Sequence, residues 1–392
     1  MTGPADDLTT LLAAAGALGS LVAEHQGALA NARDLPSALA EALRRSGLLA
    51  LWTPRRFGGT ELSPADYIRV IEAVAYHDGA TGWCAAIAAS GGRIAGAMEQ
   101  GAAAAFFGPD KTGLAGSVNP TGQAVRADGS WRVSGRWSYG SFIRHSTGTF
   151  AMCVQHENGA PVRDAAGAPL FCAVVVPTAS VRIHDTWDAG GLRATGSHDF
   201  EMADVFVPTD RVVPMPGFEM TARLPGPLFA LPFVAAFTIG ITPVPLGIAR
   251  AAIDALTQLA GAKRPMGTAG LLRDLPGVQA DVARAEALLR GARAFLFEAV
   301  EALWASVSAV GKASLHERAL VRLACWNAVQ ASKQATTLMY EAAGGASLPE
   351  AGAFARRLRD VMAAGQHIAF AQRNLEAAGR VLLGMDPGTA RF

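Results

Sequence analysis

Several side chains in this sequence are of types and spacings that can do chemistry. Gly135-Arg136-Trp137-Ser138-Tyr139-Gly140-Ser141 reads as a strand running into a loop. Strict alternation would put Trp137, Tyr139 and Ser141 on one face. Such an aromatic ridge covers a planar ring, and the hydroxyl beside it meets the ring's polar edge. Taken alone, the segment favours an ordinary strand with buried aromatics. Gly190-Gly191-Leu192-Arg193-Ala194-Thr195-Gly196-Ser197 is a loop by its glycines. Its backbone N–H groups and the Thr195 and Ser197 hydroxyls suit a polar ring edge or a phosphate. Near the end, Arg359-Asp360 is followed by Gly365-Gln366-His367 on a segment of helical character. A histidine titrates near neutrality, so His367 suits taking or holding a proton.

Some chemistries are missing. No His-x-x-x-His or carboxylate cluster suggests a metal, and no Gly-x-Ser-x-Gly elbow suggests a hydrolase. Cys84, Cys153, Cys172 and Cys325 are scattered and read as small core residues of a cytosolic protein. The 34 basic and 33 acidic residues nearly cancel and do not cluster, so no face for nucleic acid emerges. The beginning of the chain lacks a basic, cleavable apolar leader. The apolar stretch around Leu228 to Ile248 is interrupted by Pro232, Pro243 and Pro245, and reads as a buried helix entry.

The elements that must position these groups come in three blocks. With 392 residues, 51% of them apolar, the chain has enough to bury for two or three packed layers. Residues 1 to about 105 have helical periodicity, with Leu8, Leu11, Leu12, Leu18 and Val22, then Leu35, Leu39, Ala42 and Leu43. Ser63-Pro64 reads as a helix cap and first position, and a further helix carries Gly82-Trp83-Cys84. From about Leu114 short alternating runs appear at Trp131 to Ser134, Phe150 to Val154, Phe171 to Val176 and Phe200 to Val207. Ala127-Asp128-Gly129-Ser130 is a hairpin turn. Beyond about Pro227 long helices begin near Pro245, Pro276, Leu315 and Phe354. This segregated order argues against an alternating parallel sheet. A charged fraction of only 17% points to surface buried between subunits.

The Trp-x-Tyr-x-Ser segment, the Gly191 to Ser197 loop and the later Asp204-Val205-Phe206-Val207-Pro208, in that order, resemble the acyl-CoA dehydrogenase flavoprotein superfamily. Dehydrogenases of that family carry a catalytic glutamate where this chain reads Gln366-His367-Ile368. The histidine there resembles the two-component, flavin-dependent monooxygenase branch. That branch has Trp-x-aromatic-x-Ser-Gly with a histidine soon after; here His145 follows and Phe142 replaces the glycine.

The resemblance implies a mainly α chain with a central β domain: helices over 1–110, a β-barrel-like domain over 111–220, and a four-helix bundle over 221–392. It implies a cytoplasmic homotetramer with flavin between the β domain and the bundle. It implies reduced FMN, or FAD, delivered by a separate flavin reductase, and O2 as co-substrate. A C4a-hydroperoxyflavin would then oxygenate a small aromatic or heteroatom-containing substrate, without nucleic acid or membrane as partner. His367 and Ser141 would be catalytic. Trp137, Tyr139, Ser141, Thr195, Ser197 and Asn119 would contact the cofactor. Arg264, in competition with Arg273, would pair with its phosphate, and Gly345 would approach a neighbour's flavin. The usual Arg-x-x-Phe-Gly pattern is absent, which favours FMN. Pocket walls are expected from Tyr76, His77, Trp83, Phe142 and the Phe233 to Phe237 segment. Two other readings remain: a flavin dehydrogenase or oxidase with a relocated base, Glu341 or Glu376, and a non-catalytic scaffold.

Overall fold

Ser63 caps a helix as its sequence indicates. In the computed structural model, which describes residues 4–350, 352–389 and 391–392, the Ser63 hydroxyl accepts the Asp66 N–H at 3.1 Å. The first helices are α1 (Pro4–Glu24), α2 (Gln26–Asn31), α3 (Ser37–Arg45), α4 (Pro64–His77), α5 (Gly79–Gly91) and α6 (Gln100–Ala104). Asp78 caps α5, its carboxylate accepting both the N–H and the hydroxyl of Thr81 at 2.8 Å. Leu11, Leu18, Val22, Leu39 and Leu43 are buried as the helical spacing requires. The Tyr67 hydroxyl reaches the carbonyls of Ala86 at 2.9 Å and Gly240 at 3.1 Å, fixing α4 against two of the elements that bound the site.

The strands are β1 (Leu114–Ala127), β2 (Ser130–Gly140), β3 (Gly148–Glu157), β4 (Ala160–Pro161), β5 (Phe171–Pro177), β6 (Arg182–His184), β7 (His198–Pro208) and β8 (Val212–Pro214). They form one sheet in the order β6-β7-β2-β1-β3-β5-β8, with β4 on β3. Every pairing is antiparallel except β1 with β3. Asp128 and Gly129 both have positive φ, at 45° and 73°, which gives the tight β1–β2 turn the twist of its strands.

Alternation fails at the end of β2. The pairing with β7 slips between Trp137 and Gly140, and Tyr139 takes φ 67°. Trp137, before the slip, points into the sheet's interior, where it stacks on Phe200 at 5.3 Å and donates its indole N–H to the Met152 carbonyl at 2.8 Å. Tyr139 is 71% exposed and Ser141 is buried. The expectation of a shared face for Trp137, Tyr139 and Ser141 is thus corrected: Trp137 lies inside the sheet, and the bulge after it separates Tyr139 and Ser141 from it.

The chain then returns to helices: α7 (Pro227–Ala230), α8 (Phe233–Ile241), α9 (Pro243–Ala260), α10 (Pro276–Val310), α11 (Leu315–Ala342), α12 (Ala353–Ala364) and α13 (Gln372–Leu382). The apolar run Phe233–Ala260 is long enough to cross a membrane by length and composition, but 78% of its most apolar window is buried inside the fold. Lys263 donates to the Ala343 carbonyl at 2.7 Å and closes the end of α11. The segment expected to carry His367 on a helix is broken. After α12 the chain turns at Gly365, and Ile368–Phe370 form a single tight turn before α13.

Candidate functional site

A cavity of about 510 Å³ opens between α5, the β1–β2 side of the sheet, the Trp187–Ser197 loop, α8 and the α12–α13 break. Its walls are set by Trp83, Ser141, Thr195, Ser197, Phe237 and His367, with Asn119 and Tyr139 also facing it. Six of the expected site residues therefore meet in one place. No carboxylate lines it among the described residues, and the exposed Glu341 and Glu376 lie elsewhere.

Three hydroxyls form a chain along one wall. Thr195 Oγ1 and Ser197 Oγ are 2.6 Å apart, and Ser197 Oγ and Ser141 Oγ are 2.7 Å apart. Trp83 Nε1 donates to Ser141 Oγ at 3.1 Å. All four residues are buried. The indole N–H can only donate, so one Ser141 lone pair is fixed. If Thr195 donates to Ser197 and Ser197 to Ser141, the Ser141 proton is free for the cavity, strengthened by the donors behind it. Reversing the chain frees the Thr195 proton instead. The wall thus offers one strong donor at either of two places.

The loop bearing these hydroxyls is held from two sides. Gly191 lies so close to α12 that an added Cβ would stand 2.1 Å from the Arg359 carbonyl oxygen. Leu192, with φ 50°, donates its N–H to Asp360 Oδ1 at 2.6 Å. Gly196 N–H is taken by the Arg33 carbonyl at 2.8 Å, and the N–H groups of Thr195 and His198 are satisfied within the loop. The expectation that loop N–H groups bind a ligand is corrected at these four positions; the side-chain hydroxyls are what remain. Burial, and then the charge of Asp78, pushes the Asp360 carboxyl up to about 7.

His367 stands at the start of the tight turn, and its Nδ1 accepts the Ala369 N–H at 3.1 Å. A nitrogen that accepts a hydrogen bond carries no proton, so the neutral ring must carry its proton on Nε2. Burial pulls its pKa down to about 4, so the ring is neutral at physiological pH. Trp83 and Phe237 flank it, with ring centroids 5.8 Å and 5.4 Å away. His367 therefore presents the cavity with a neutral N–H donor rather than a base.

Several expected residues lie outside the cavity. Trp137 is inside the sheet, as described above. Arg264 is exposed and donates to the Ala269 carbonyl at 2.9 Å. Gly345 lies in the turn after α11. His145 is engaged with the Leu35 carbonyl at 2.8 Å. Phe142 takes φ 67°, the left-handed conformation that glycine adopts without strain, but its buried ring packs into the helical core, so it does not narrow the cavity. Tyr76 and His77 do not line it either. Among the lining residues that sequence reading missed is a charged one, Arg93, although it is the sole charged side chain between Asp78 and Glu99.

The residues present fit a flavin ring. The buried hydroxyl chain matches a polar heterocycle edge, and Trp83 and Phe237 supply apolar walls. Ser141→Ala should weaken reduced-flavin binding about tenfold, since a buried hydrogen bond contributes ~0.5–1.5 kcal/mol. Trp83→Phe should weaken it less, by freeing the Ser141 hydroxyl to turn. Anaerobic fluorescence titration reads both, and wild-type affinity in Ser141→Ala would remove the hydroxyl from the flavin's edge.

Residues 239–372 match the family model described as acyl-CoA dehydrogenase, C-terminal domain. The chain is 30% identical to indole-3-acetate monooxygenase from Pseudomonas putida over 355 residues, covering 91% of this chain and 89% of that protein. It is 27% identical to the oxygenase component of FADH2-dependent resorcinol hydroxylase from Rhizobium sp., covering 91% and 90%. The solved structure of XiaF from Streptomyces sp., in complex with FADH2 and glycerol, superposes with a TM-score of 0.88 at 25% identity and 98% coverage of both chains. With the fold, the carboxylate-free cavity and this likeness over nine-tenths of its length, the chain belongs to the flavin-dependent monooxygenases of the acyl-CoA dehydrogenase superfamily and is an oxidoreductase of their oxygenase-component type.

Proposed function

We propose that this chain takes reduced FMN from a separate flavin reductase and places one oxygen atom of O2 on a small aromatic substrate. The observation that carries the reading is the convergence of a neutral imidazole donor and three buried hydroxyls on a cavity without a carboxylate. A dehydrogenase of this superfamily needs a carboxylate base there. Bound reduced flavin supplies the electrons that activate O2; the protein supplies orientation and a dry site. Ser141, backed by Ser197 and Thr195, would hold the ring's polar edge. His367 Nε2–H would stabilise negative charge growing on an oxygen atom beside it. Trp83 and Phe237 would keep water out.

The names of the relatives, an indole-3-acetate monooxygenase and a resorcinol hydroxylase, support an aromatic substrate. FMN is preferred to FAD because, among the described residues, Arg93 is the only cationic side chain lining the cavity, so no cation pair for a pyrophosphate is evident. We assign helices to 1–110, a β-barrel-like domain to 111–220 and a four-helix bundle to 221–392. The assembly is a cytoplasmic homotetramer in which Arg264 and Gly345 approach the flavin of a neighbouring subunit.

Anaerobic titration with reduced and oxidised FMN and FAD, followed by stopped-flow mixing with O2, tests the reading. Tight binding of the reduced form, weak binding of the oxidised form, and a transient absorbance before oxidised flavin appears are expected. Equal affinity for both redox states with no transient would move the chain to dehydrogenase chemistry.

A further inference from the structure

Among the described residues Arg93 is the one charged side chain in the cavity wall, and it forms no ion pair. It lies in the tight turn Gly92–Gly96 that continues α5, and only 4% of it is exposed. Nη2 donates to the Leu231 carbonyl at 2.5 Å, and Nε is buried without any partner. No carboxylate forms an ion pair with it among the described residues. Glu219 is the charge that acts on it electrostatically, yet both Glu219 oxygens are engaged elsewhere. One accepts the Phe233 N–H at 2.7 Å and the other pairs with Arg318. Ile94, next to it in sequence, and the apolar Met220 and Phe233 line the same cavity.

A buried cation without a partner is costly unless something completes it. Burial, partly offset by the Glu219 charge, takes its pKa down to about 10, so it stays charged at neutral pH. The position along α5 is also informative. At about 1.5 Å per residue, the backbone of Arg93 stands roughly 15 Å from that of Trp83, which sits beside His367 and Ser141. Both residues line the one cavity, Trp83 at the end that holds His367 and the Ser141 hydroxyl.

We propose that Arg93 recognises a carboxylate, so that the substrate of this cavity is an aromatic acid with its ring toward His367 and its carboxylate on the guanidinium. A guanidinium presents two parallel N–H donors to a carboxylate, and the apolar surroundings strengthen that pairing. The assignment rests on the oxygenase reading above and narrows its substrate from aromatics in general to aromatic acids. Neutral phenols would leave the guanidinium unpaired and bind less well.

The test is equilibrium binding of phenylacetate and indole-3-acetate, each against its primary amide. Wild type, Arg93→Met and Arg93→Lys are measured with and without reduced FMN. Wild type is expected to prefer each acid over its amide by tenfold or more. Arg93→Met should abolish that preference while keeping amide affinity within threefold, which also reports that the cavity is intact. Arg93→Lys should keep part of the preference, having charge without the fork. The proposal is overturned if wild type does not distinguish acid from amide, or if Arg93→Met retains the full preference. It is equally overturned if the substitution weakens flavin binding and leaves acid binding unchanged. Turnover of neutral aromatics without acid preference would sink this inference and leave the oxygenase reading standing. Arg93-dependent acid binding with no oxygenation of any ligand would do the reverse.

Discussion

His367→Ala is expected to lower kcat/KM for substrate oxygenation about 10²–10³-fold, with reductant consumption shifted toward hydrogen peroxide release. The fold should persist, because the ring occupies a cavity wall at a chain break rather than the centre of a helix. Oxygen electrode and product assays in the presence of a flavin reductase read both quantities. Full coupled turnover in this variant would remove His367 from the chemistry.

The tautomer makes a sharper comparison possible. With Nδ1 held by the Ala369 N–H, the ring offers Nε2–H and no free lone pair. A glutamine at this place brings an amide N–H donor but no usable base. His367→Gln should therefore recover a substantial part of the activity lost in His367→Ala, about tenfold or more, if donation is the role. Recovery no better than alanine would mean that a base is needed and that the ring changes tautomer during the reaction. The pH profile gives an independent reading. Since the His367 pKa lies at about 4, its protonation should leave the rate unaffected between pH 6 and 8. Activity should be lost only as pH falls toward that value, where a proton on Nδ1 would also break the contact with Ala369.

Much of this arrangement is written in local sequence signals. The Ser63 cap, the Asp128-Gly129 turn and the starts of α10 and α11 follow from residue chemistry that acts over a few positions, and the structure follows it closely. Ser141, Thr195, Ser197 and His367 stand out through resemblance to a family rather than through local pattern, and all four line the cavity. What alternation did not reveal is the bulge at Tyr139, because one extra residue reverses every inward and outward assignment after it. Trp137 precedes the bulge and keeps its inward place, while Tyr139 and Ser141 follow it and part from Trp137. The break at Gly365 was hidden because Gln366 and His367 fit a helix as well as a turn, and only packing decides. Arg93 carried a signal, a single charge in a long apolar segment, but a lone arginine is ordinarily solvated. Its burial depends on Leu231, about 140 residues away, which no local pattern reports.

Replacing Asp360 should give effects of opposite sign depending on the substitute. Asp360→Ala strands the Leu192 N–H, which is buried and bonded to Asp360 Oδ1 at 2.6 Å, and should cost about 1–3 kcal/mol at acidic pH, where the carboxyl is neutral. Asp360→Asn keeps an acceptor for that N–H and removes the charge. The carboxyl is raised to about 7 by burial and by Asp78, against the pull of Arg356 and Arg359. Between its ordinary value near ~4 and that raised value, the folded state binds more protons than the unfolded one, so this group's contribution to stability falls as pH rises. Wild type should therefore lose stability through that window and level off above it. Asp360→Asn, uncharged throughout, should gain on wild type between pH 5 and pH 8 by an amount on the order of 2–4 kcal/mol. Urea unfolding at the two pH values measures the difference, and an equal offset at both would mean that the carboxyl is ionised across the range. The functional consequence runs through the loop. Without the Asp360 contact, Leu192 loses its tie to α12, and the Thr195 and Ser197 hydroxyls lose their fixed place beside Ser141. Asp360→Ala should accordingly weaken reduced-flavin binding while Asp360→Asn preserves it. Equal flavin affinity in both variants would separate the carboxylate clamp from the site it is placed to hold.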